Sequence, residues 1–265
     1  MAKDKEGSTF LDEYNRVFFF LENCIFTLIK GLSTEEHCHH AVMIIYGIEE
    51  PLEILINDKW EKYDFFIVDK DSSHKIKETK GWVAIILVDP EWEYINHIRN
   101  TYLNGQAVKK IQVNNDIDLK IKTKMLISKK SKSEAEEVFY EILKPIQKDR
   151  HYATLDDRIV KVIEHIKAND HDDINIKVLA NMVFLSESRL QHLFKEQVGI
   201  PLKSYILWRK ILKAMSFITE GKSFTDAAHM AGFSDSAHLS RTFKDTFGVS
   251  LSEVLKKGNK YKIIV

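Results

Sequence analysis

Several side chains with metal-binding chemistry lie close together in the first half of the chain. The segment EEHCHHAVMIIYG (35–47) places three histidines and a cysteine side by side, and the segment DKDSSHKI (69–76) adds another histidine. These residues are His37, Cys38, His39, His40 and His74. Imidazole and thiolate groups suit Zn, Fe and Ni, so metal binding is one interpretation. A metal-free pocket, or histidines that belong to ordinary turns, is the alternative.

A different chemistry is indicated by the segment FLSESRLQHLFKEQVG (184–199) in the second half of the chain. Its Leu190, Phe194 and Val198 form an apolar stripe at helical spacing. The other side of this predicted helix carries hydrogen-bond donors and charge, on Arg189, Gln191, His192 and Lys195. One face therefore belongs to a core, and the other is available to a polar partner.

The same pattern occurs twice. LQHLFKEQVG (190–199) returns 49 residues later as LSRTFKDTFG (239–248), and each copy follows a short predicted helix with Ala180 or Ala228 in the same place. Two copies with matching apolar stripes are typical of two helix-turn-helix units. In such a unit the first helix supports the second, whose outer face enters the major groove of DNA, about 12 Å wide.

The segment between the two copies predicts a long, stiff spacer. A helix from Leu202 to Glu220 has about 19 residues and spans roughly 28 Å at ~1.5 Å per residue. Successive major grooves on one face of DNA recur about every 34 Å. The spacer therefore predicts two reading helices one DNA turn apart.

GFSDSAHLSRTFKDTFGVS (232–250), preceded by SESRLQHLFKEQVGIPLKSYILWRKILKAM (186–215), resembles the double helix-turn-helix domain of the AraC/XylS family of bacterial transcription regulators. The resemblance covers roughly residues 155–258. It implies binding to double-stranded promoter DNA, with RNA polymerase and a second copy of the chain as further candidate partners. Leu251 stands where the family normally has Pro, and Val183 or Phe184 where it often has Gly.

The resemblance also implies which side chains face the DNA. In the first reading helix the base-facing residues are Ser188, Gln191 and His192, with Glu187, Arg189 and Lys195 nearer the phosphates. In the second they are Ser236, Ala237, His238, Ser240 and Arg241, with Lys244 beside them. Arg241 is the sharpest candidate, because a guanidinium can pair bidentately with O6 and N7 of guanine. His192 stands where the family commonly has Arg, so we expect weaker readout there.

The elements that position the histidines are predicted to be strands. From about residue 17 to 89, β-branched and aromatic runs alternate with polar turn clusters, which is typical of an antiparallel sandwich or small barrel. Helical patterns follow at 91–105, 118–128 and 133–146. Beyond a polar boundary, every pattern is helical. The helices predicted between residues 91 and 146 either cover the barrel or pair between two subunits.

The predicted fold is therefore α+β with two domains. An antiparallel β-barrel with covering helices occupies 1–146, a linker 147–154, and an all-α double helix-turn-helix domain 155–265. Residues 151–265 hold 17 Lys/Arg and 13 Asp/Glu, a net charge of +4 on a neutral chain. This small surplus is a modest indication of a polyanionic partner.

The strand runs from HCHHAVMIIYG to WVAIILVDPEW resemble the cupin-like sensory domain of many AraC-type regulators, over roughly residues 17–90. The resemblance implies a small-molecule effector at the mouth of the barrel. The candidate lining residues are His39, Trp60, His74 and Trp82. The candidate metal ligands are His37, His39 and His74, but Met43 and Ile44 stand where cupin metal sites usually have Glu. We therefore predict no metal and no cofactor.

Composition limits the function classes. No apolar run reaches the roughly 20 residues of a membrane span, the first residues lack the apolar core of a secretory signal, and two cysteines suit a reducing compartment. We expect a cytoplasmic, non-enzymatic regulator that responds to a small effector. Two alternatives stay open. In the first alternative, the N-terminal domain is only a dimerisation or protein-contact platform and binds no effector. In the second, it is a cupin metalloenzyme fused to a DNA-binding module.

Overall fold

The computed structural model describes residues 14–146, 154–169, 174–247, 250–251 and 261–264. Its strands are β1 Arg16–Phe20, β2 Cys24–Lys30, β3 Val42–Gly47, β4 Leu52–Ile56, β5 Lys59–Tyr63, β6 Phe65–Val68, β7 His74–Ile76, β8 Trp82–Val88, β9 Val108–Lys110 and β10 Tyr261–Ile264. The sequence predicted β1 to β4, β6 and β8. The short strands β5, β7, β9 and β10 were missed, because they are charged or too brief to show a period of two.

The strands form two open sheets. Seven strands lie in the order β10-β1-β2-β8-β3-β6-β9, and three lie in the order β5-β4-β7. The α+β class is confirmed, but the predicted closed barrel is wrong, since in the described part of the chain no ladder joins the edges of the two sheets. One edge strand, β5, has the sequence KWEKY and is largely exposed, and a charged edge of this kind does not pair further.

The large sheet is buried on both faces. Along β8, Trp82, Ala84 and Ile86 point to one core cluster, while Val83 and Leu87 point to the other. The first cluster is shared with helices that follow the sheet, and the second is shared with β4 and β7. This explains the nearly continuous apolar sequence of β3 and β8, because a strand with both faces covered needs no polar side.

The helices are α1 Glu93–Ile98, α2 Asp116–Lys129, α3 Lys132–Leu143, α4 Asp157–Ala168, α5 Ile176–Met182, α6 Glu187–Val198, α7 Leu202–Thr219, α8 Phe224–Met230 and α9 Ser236–Phe247. A π-helical segment, Arg99–Leu103, continues α1, and a 3-10 turn, Lys144–Ile146, follows α3. The helical predictions for 91–105, 118–128 and 133–146 are confirmed, and α2 and α3 cover the large sheet. Most of the predicted linker, 147–154, lies outside the described residues.

Local signals set the helix ends of the repeat. The hydroxyl of Ser186 accepts a hydrogen bond from the N–H of Arg189 at the start of α6, and Ser223 accepts one from Asp226 at the start of α8. A carboxylate oxygen of Asp235 accepts the N–H of His238 at the start of α9. Gly199 ends α6 in the left-handed conformation at φ 85°, which glycine adopts without steric cost.

The last described strand returns to the first domain. β10 lies beside β1 in parallel, with Val17 opposite Lys262 and Phe19 opposite Ile264. Phe18 of β1 lies in a core cluster formed by α7, α8 and α9, and Trp208 of α7 lies in the cluster of the two sheets. Each of the two predicted domains thus contributes a side chain to the core of the other. In the described chain, no helix is both long and apolar enough to cross a membrane.

Candidate DNA interface and effector cavity

The first reading helix, α6, shows its polar side to solvent. Leu190, Leu193 and Phe194 are buried against α4 and α5. The predicted phosphate-side residues Glu187, Arg189 and Lys195 are exposed, as are Ser188 and His192, and Gln191 is half-buried. His192 lies 3.7 Å from the carboxylate of Glu196. Five of the six predicted residues of α6 are therefore exposed, and Gln191 is half-buried.

The second reading helix, α9, separates its predicted residues into two groups. Ala237, Arg241 and Lys244 are exposed, whereas Ser236, His238 and Ser240 are half-buried. The imidazole of His238 lies 3.1 Å from the hydroxyl of Ser234, and its ring meets that of Phe233 edge-on at 5.2 Å. Because these contacts hold His238 in the first turn, Arg241 is the freer donor for a base edge.

The turns inside the two units have the same geometry and different residues. Phe184 lies four residues after Ala180 at φ 57°, and Gly232 lies four residues after Ala228 at φ 78°. The side chain of Phe184 is 95% exposed. A bulky residue in this left-handed region is strained, and Phe184 gains no burial in return. Phe184 is one of the two positions, with Val183, at which the resemblance implies Gly.

A cavity of about 70 Å³ lies between the two sheets and the helix-turn-helix domain. Its apolar wall from the sheets includes Phe18, Ile25 and Met43, and α7 and α9 contribute Met215, Phe243 and Phe247. Its polar lining residues are Arg16, Thr27, Thr34, His37, His39 and His74. The cavity therefore has an apolar body, one polar region, and a wall that belongs to a reading helix.

Two of the four predicted lining residues reach this cavity. His39 and His74 line it, but Trp60 and Trp82 do not. Trp82 points to the opposite face of the large sheet, where the covering helices pack, and Trp60 is 48% exposed on the edge strand β5. Strand parity decides both cases, since a shift of one residue moves a side chain to the other face.

Three of the histidines come together at the polar region. The backbones of His37 and His74 pair as an isolated bridge, with N–H to oxygen distances of 3.0 and 2.9 Å. Their ring centroids are 4.4 Å apart, and that of His39 is 5.1 Å from that of His74. Burial lowers the pKa of His39 to about 3 and that of His74 to about 4, and it also lowers the pKa of His37. All three imidazoles are therefore neutral near pH 7.

A buried polar contact joins the first domain to α7. The indole N–H of Trp208 donates to Asp89 at 3.1 Å, and the hydroxyl of Tyr205 donates to Glu91 at 3.0 Å. Lys167 of α4 lies 3.0 Å from the same Glu91 carboxylate. Burial, with the nearby charge of Glu91, raises the pKa of Asp89 to about 8. We call these five residues the interdomain contact.

Sequence reasoning missed both the α9 wall of the cavity and the interdomain contact. Phe243 and Phe247 lie at helical spacing, which predicts a place in the core of their own domain and gives no sign of a second contact. Asp89 and Glu91 flank Pro90 directly after a buried strand. That pair of acids between apolar neighbours is a signal from which a buried partner could have been inferred, but it does not show that the partner lies 119 positions away.

Comparison with known proteins agrees with this geometry. A helix-turn-helix domain family matches residues 179–257. A probable transcriptional regulator, LumQ of Photobacterium leiognathi, is 29% identical over 93 residues, which are 35% of this chain and 38% of LumQ. The arabinose operon regulatory protein of Escherichia coli K12 is 33% identical over 103 residues, 37% of this chain and 35% of that protein. The chain thus aligns with little more than a third of the length of these two relatives.

Solved structures extend the likeness to the first domain. ToxT of Vibrio cholerae has a TM-score of 0.54 at 12% identity, over 88% of this chain and 98% of that one. A structure of ToxT from strain SCE256 with an unsaturated fatty acid bound has a TM-score of 0.53 at 13% identity, over 89% and 95%. These two structures share the fold. Residues 179–257 thus match a helix-turn-helix domain family, in a segment similar to part of the arabinose operon regulatory protein, and 88% of the chain shares the two-domain fold of ToxT.

Proposed function

We propose that the protein is a sequence-specific DNA-binding transcription regulator that responds to a small effector. The observation that carries the proposal is the pair of reading helices, each held by its own core and each with a polar side open to solvent. A regulator of promoters acts where the chromosome is, so the proposal places the protein in the bacterial cytoplasm. No catalytic step is part of it.

The long helix α7 supports the two-site arrangement. Leu202 and Tyr205 near its start pack into the core of the first unit, and Ile211 and Met215 further along pack into the core of the second. At 18 residues, α7 is about 27 Å long at ~1.5 Å per residue. This approaches the spacing of about 34 Å between successive major grooves on one DNA face.

The predicted residue roles follow from exposure. Arg241 is the main base-reading residue of α9, with Ala237 beside it, and Lys244 contacts phosphate. On α6 the corresponding places belong to His192, Ser188 and Lys195. An arginine that pairs bidentately with guanine discriminates by roughly 1–3 kcal/mol, so α9 carries more sequence preference than α6.

For the effector we propose an amphipathic carboxylic acid. The cavity joins a long apolar wall to one polar region, which suits a molecule with a hydrocarbon body and a polar head. A neighbour in fold, ToxT, is known with an unsaturated fatty acid bound. Pockets for ligands of that size measure about 300–1,000 Å³. A cavity of about 70 Å³ must therefore widen to admit one.

Widening of the cavity would couple effector binding to DNA binding. The strands of each sheet are held by the hydrogen bonds of their own ladders, whereas Phe247 reaches the cavity from α9, the helix that we propose contacts DNA. We place the moving wall at α9, so that effector binding shifts α9 relative to α6. Because a shift of this kind changes the distance between the reading helices, it changes affinity for a two-part operator.

We also include a second copy of the chain as partner. Ile117, Ile121 and Met125 are exposed at successive turns on the outer side of α2, by 69%, 54% and 42%. A stripe of this kind on a helix that covers a sheet fits self-association. Sedimentation of the wild type and of Ile121→Glu tests it: the wild type should be dimeric and the variant monomeric. A monomeric wild type would contradict this part.

The experiment that tests DNA binding is selection from random oligonucleotides, followed by footprinting. The expected result is a preferred sequence with two protected patches, whose centres are one helical turn apart on one face. A single patch, or patches on opposite faces, would contradict the two-helix arrangement.

The effector arm uses a matched pair of variants at equivalent repeat positions. Phe247→Ala removes a cavity side chain, whereas Val198→Ala removes one from the core of the first unit. In titrations with oleate, DNA binding by the wild type and by Val198→Ala should change with oleate, and binding by Phe247→Ala should respond less. An equal response in all three proteins would show that α9 is not the moving wall.

A further inference from the structure

The three histidines at the cavity share one hydrogen-bonding pattern. The Nδ1 atom of each ring lies within hydrogen-bond distance of a backbone carbonyl oxygen, at 3.0 Å from Glu35 for His37, 2.7 Å from Ala41 for His39, and 2.8 Å from Ser72 for His74. A carbonyl oxygen can only accept. Each neutral ring must therefore carry its proton on Nδ1 and present a bare lone pair on Nε2.

Two of these three lone pairs are unpartnered in the part of the chain that the structure describes. Nε2 of His39 and Nε2 of His74 are buried and have no hydrogen-bond partner among the described residues. His39 is 5% exposed and His74 is 1% exposed. Buried acceptors normally find a donor, so two unpartnered ones side by side, with a third imidazole against them, indicate an occupant that accepts electron pairs.

We propose that His37, His39 and His74 bind a divalent first-row transition metal ion, with Zn²⁺ as the leading candidate. One nitrogen of each ring lies within 4.8 Å of the others. Zn–N bonds of about 2.0–2.1 Å set tetrahedral ligands roughly 3.3 Å apart, so the rings draw together slightly on binding. His37 is only half-buried and can make that movement.

The surroundings match those of known metal histidines. A ligating imidazole usually donates its second N–H to a carbonyl or carboxylate, which fixes the ring and raises its basicity, and all three rings do so here. Backbone hydrogen bonds hold the two segments together, since Asp71 donates its N–H to the carbonyl of His39 at 2.8 Å. A glutamate ligand is not required, because three histidines and one open position make a complete zinc site.

The open position gives the ion a role, and this step rests on the proposed effector function. All three histidines line the cavity that α9 closes. None of the three ligands is negatively charged, so a bound ion keeps its full charge and attracts an anion. A carboxylate effector would complete the coordination with its head group while its hydrocarbon part lies against the apolar wall.

The test of the site itself needs only the metal. Full-length protein is stripped with a chelator and titrated with Co²⁺, which takes Zn²⁺ sites and absorbs visibly when tetrahedral. We expect one Co²⁺ per chain with an intense visible band, and displacement of Co²⁺ by Zn²⁺. His39→Ala and His74→Ala should weaken binding by at least about 100-fold, since loss of a hydrogen-bond partner to a ligand alone costs ~10–100-fold.

Two variants in the same loop serve as controls. His40→Ala removes an exposed histidine paired with Asp71, and Cys38→Ser removes the exposed thiol. Both should bind Co²⁺ as the wild type does. Should a buried variant fail to fold, as judged by circular dichroism, His37→Ala replaces it, because His37 is half-buried. Absence of a stoichiometric Co²⁺ site, or equal loss in the control variants, would overturn the proposal.

A second measurement separates the metal site from the effector function. Oleate binding is compared for the Zn²⁺-loaded and the stripped protein. Tighter binding with Zn²⁺ supports the ion as the head-group anchor. Equal oleate binding in both states, with the Co²⁺ site intact, would contradict the proposal that the ion binds the head group. It would not contradict the metal site itself. A Co²⁺ site with no oleate binding in either state argues against the proposed effector class and not against the metal.

Discussion

Val198 ends α6 in the first helix-turn-helix unit, and Phe247 occupies the equivalent place at the end of α9 in the second. Val198 is buried in the core of its own unit. Phe247 is half-buried, packs on Phe243 with ring centroids 4.4 Å apart, and borders the cavity of the first domain. One sequence pattern thus ends in the core of its own unit in one place and at the cavity of the first domain in the other.

The same contrast holds for the DNA face. Arg241 in the second unit stands where His192 stands in the first, and Gly232 stands where Phe184 stands. The second unit thus carries the guanidinium and the glycine turn, and it also borders the cavity. We infer a division of roles, in which the first unit anchors the protein on DNA and the second reads the operator under control of the effector.

The largest expected effect tests this division at the equivalent pair of residues. Arg241→Ala should weaken binding to the selected operator by roughly 1–3 kcal/mol and leave binding to random DNA nearly unchanged, because a bidentate guanine contact is lost. His192→Ala should cost less on the operator, because an imidazole cannot form the bidentate pair that a guanidinium forms with guanine. Electrophoretic mobility shifts on both DNAs measure the two losses. Equal losses for the two variants would remove the division of roles.

The next effect concerns the two turns. Gly232→Ala places a side chain in the left-handed region and should lower the free energy of unfolding by about 1–2 kcal/mol. Phe184→Gly relieves the same strain at an exposed position and should raise it by about 0.5–1 kcal/mol, after the entropy cost of glycine. Urea denaturation measures both. A loss of stability in Phe184→Gly would mean that the aromatic ring makes a contact in the folded protein.

The repeat shows how much of this structure its sequence contains. The signals that begin and end these helices are local: Ser186 and Ser223 cap helix N-termini, and Gly199 ends α6. Short-range chemistry was therefore enough to predict the helices and the presence of two similar units. The cavity wall was not predictable in this way. Phe194 and Phe243 occupy equivalent positions with the same spacing, yet only Phe243 meets the other domain, because that depends on how the domains pack.

The first domain gives the same lesson with strands. Alternation and turn residues predicted six of the strands, but the β10 pairing with β1 joins chain positions more than two hundred residues apart. Trp82 and His74 were both predicted to line a pocket, and strand parity placed only His74 there. Residue types predicted the histidine cluster, whereas the tautomers that prepare it came from backbone carbonyls.

A pH experiment tests the contact of α7, the helix that both units share, with Asp89 of the first domain. The pKa of Asp89 is about 8, above its ordinary value of 3.8, so the folded protein holds this proton more tightly than the unfolded chain. The stabilising contribution is therefore complete below the ordinary value and is lost as pH rises through about 8. The free energy of unfolding should fall across that window. Asp89→Asn, which cannot ionise, should flatten this fall.

Trp208 carries the hydrogen bond at this carboxyl group, since its indole N–H donates to Asp89, and circular dichroism follows the unfolding. The control is Asp58→Asn, which removes an exposed carboxylate from the turn between β4 and β5. Urea denaturation across the window should give parallel curves for the control and the wild type. An unchanged pH dependence in Asp89→Asn would assign the effect to another group.

The smallest effect tests whether the two units differ in every respect or only in base reading and effector contact. Lys195 and Lys244 are equivalent and both exposed, so each should contact one phosphate. Each Lys→Ala change should lower the slope of log K against log salt by about 0.9, equally on operator and random DNA. Equal slopes for the two variants would show that each of the two lysines contacts one DNA phosphate. A change for Lys244→Ala alone would mean that α6 does not dock, and the anchoring role given to the first unit would then fail.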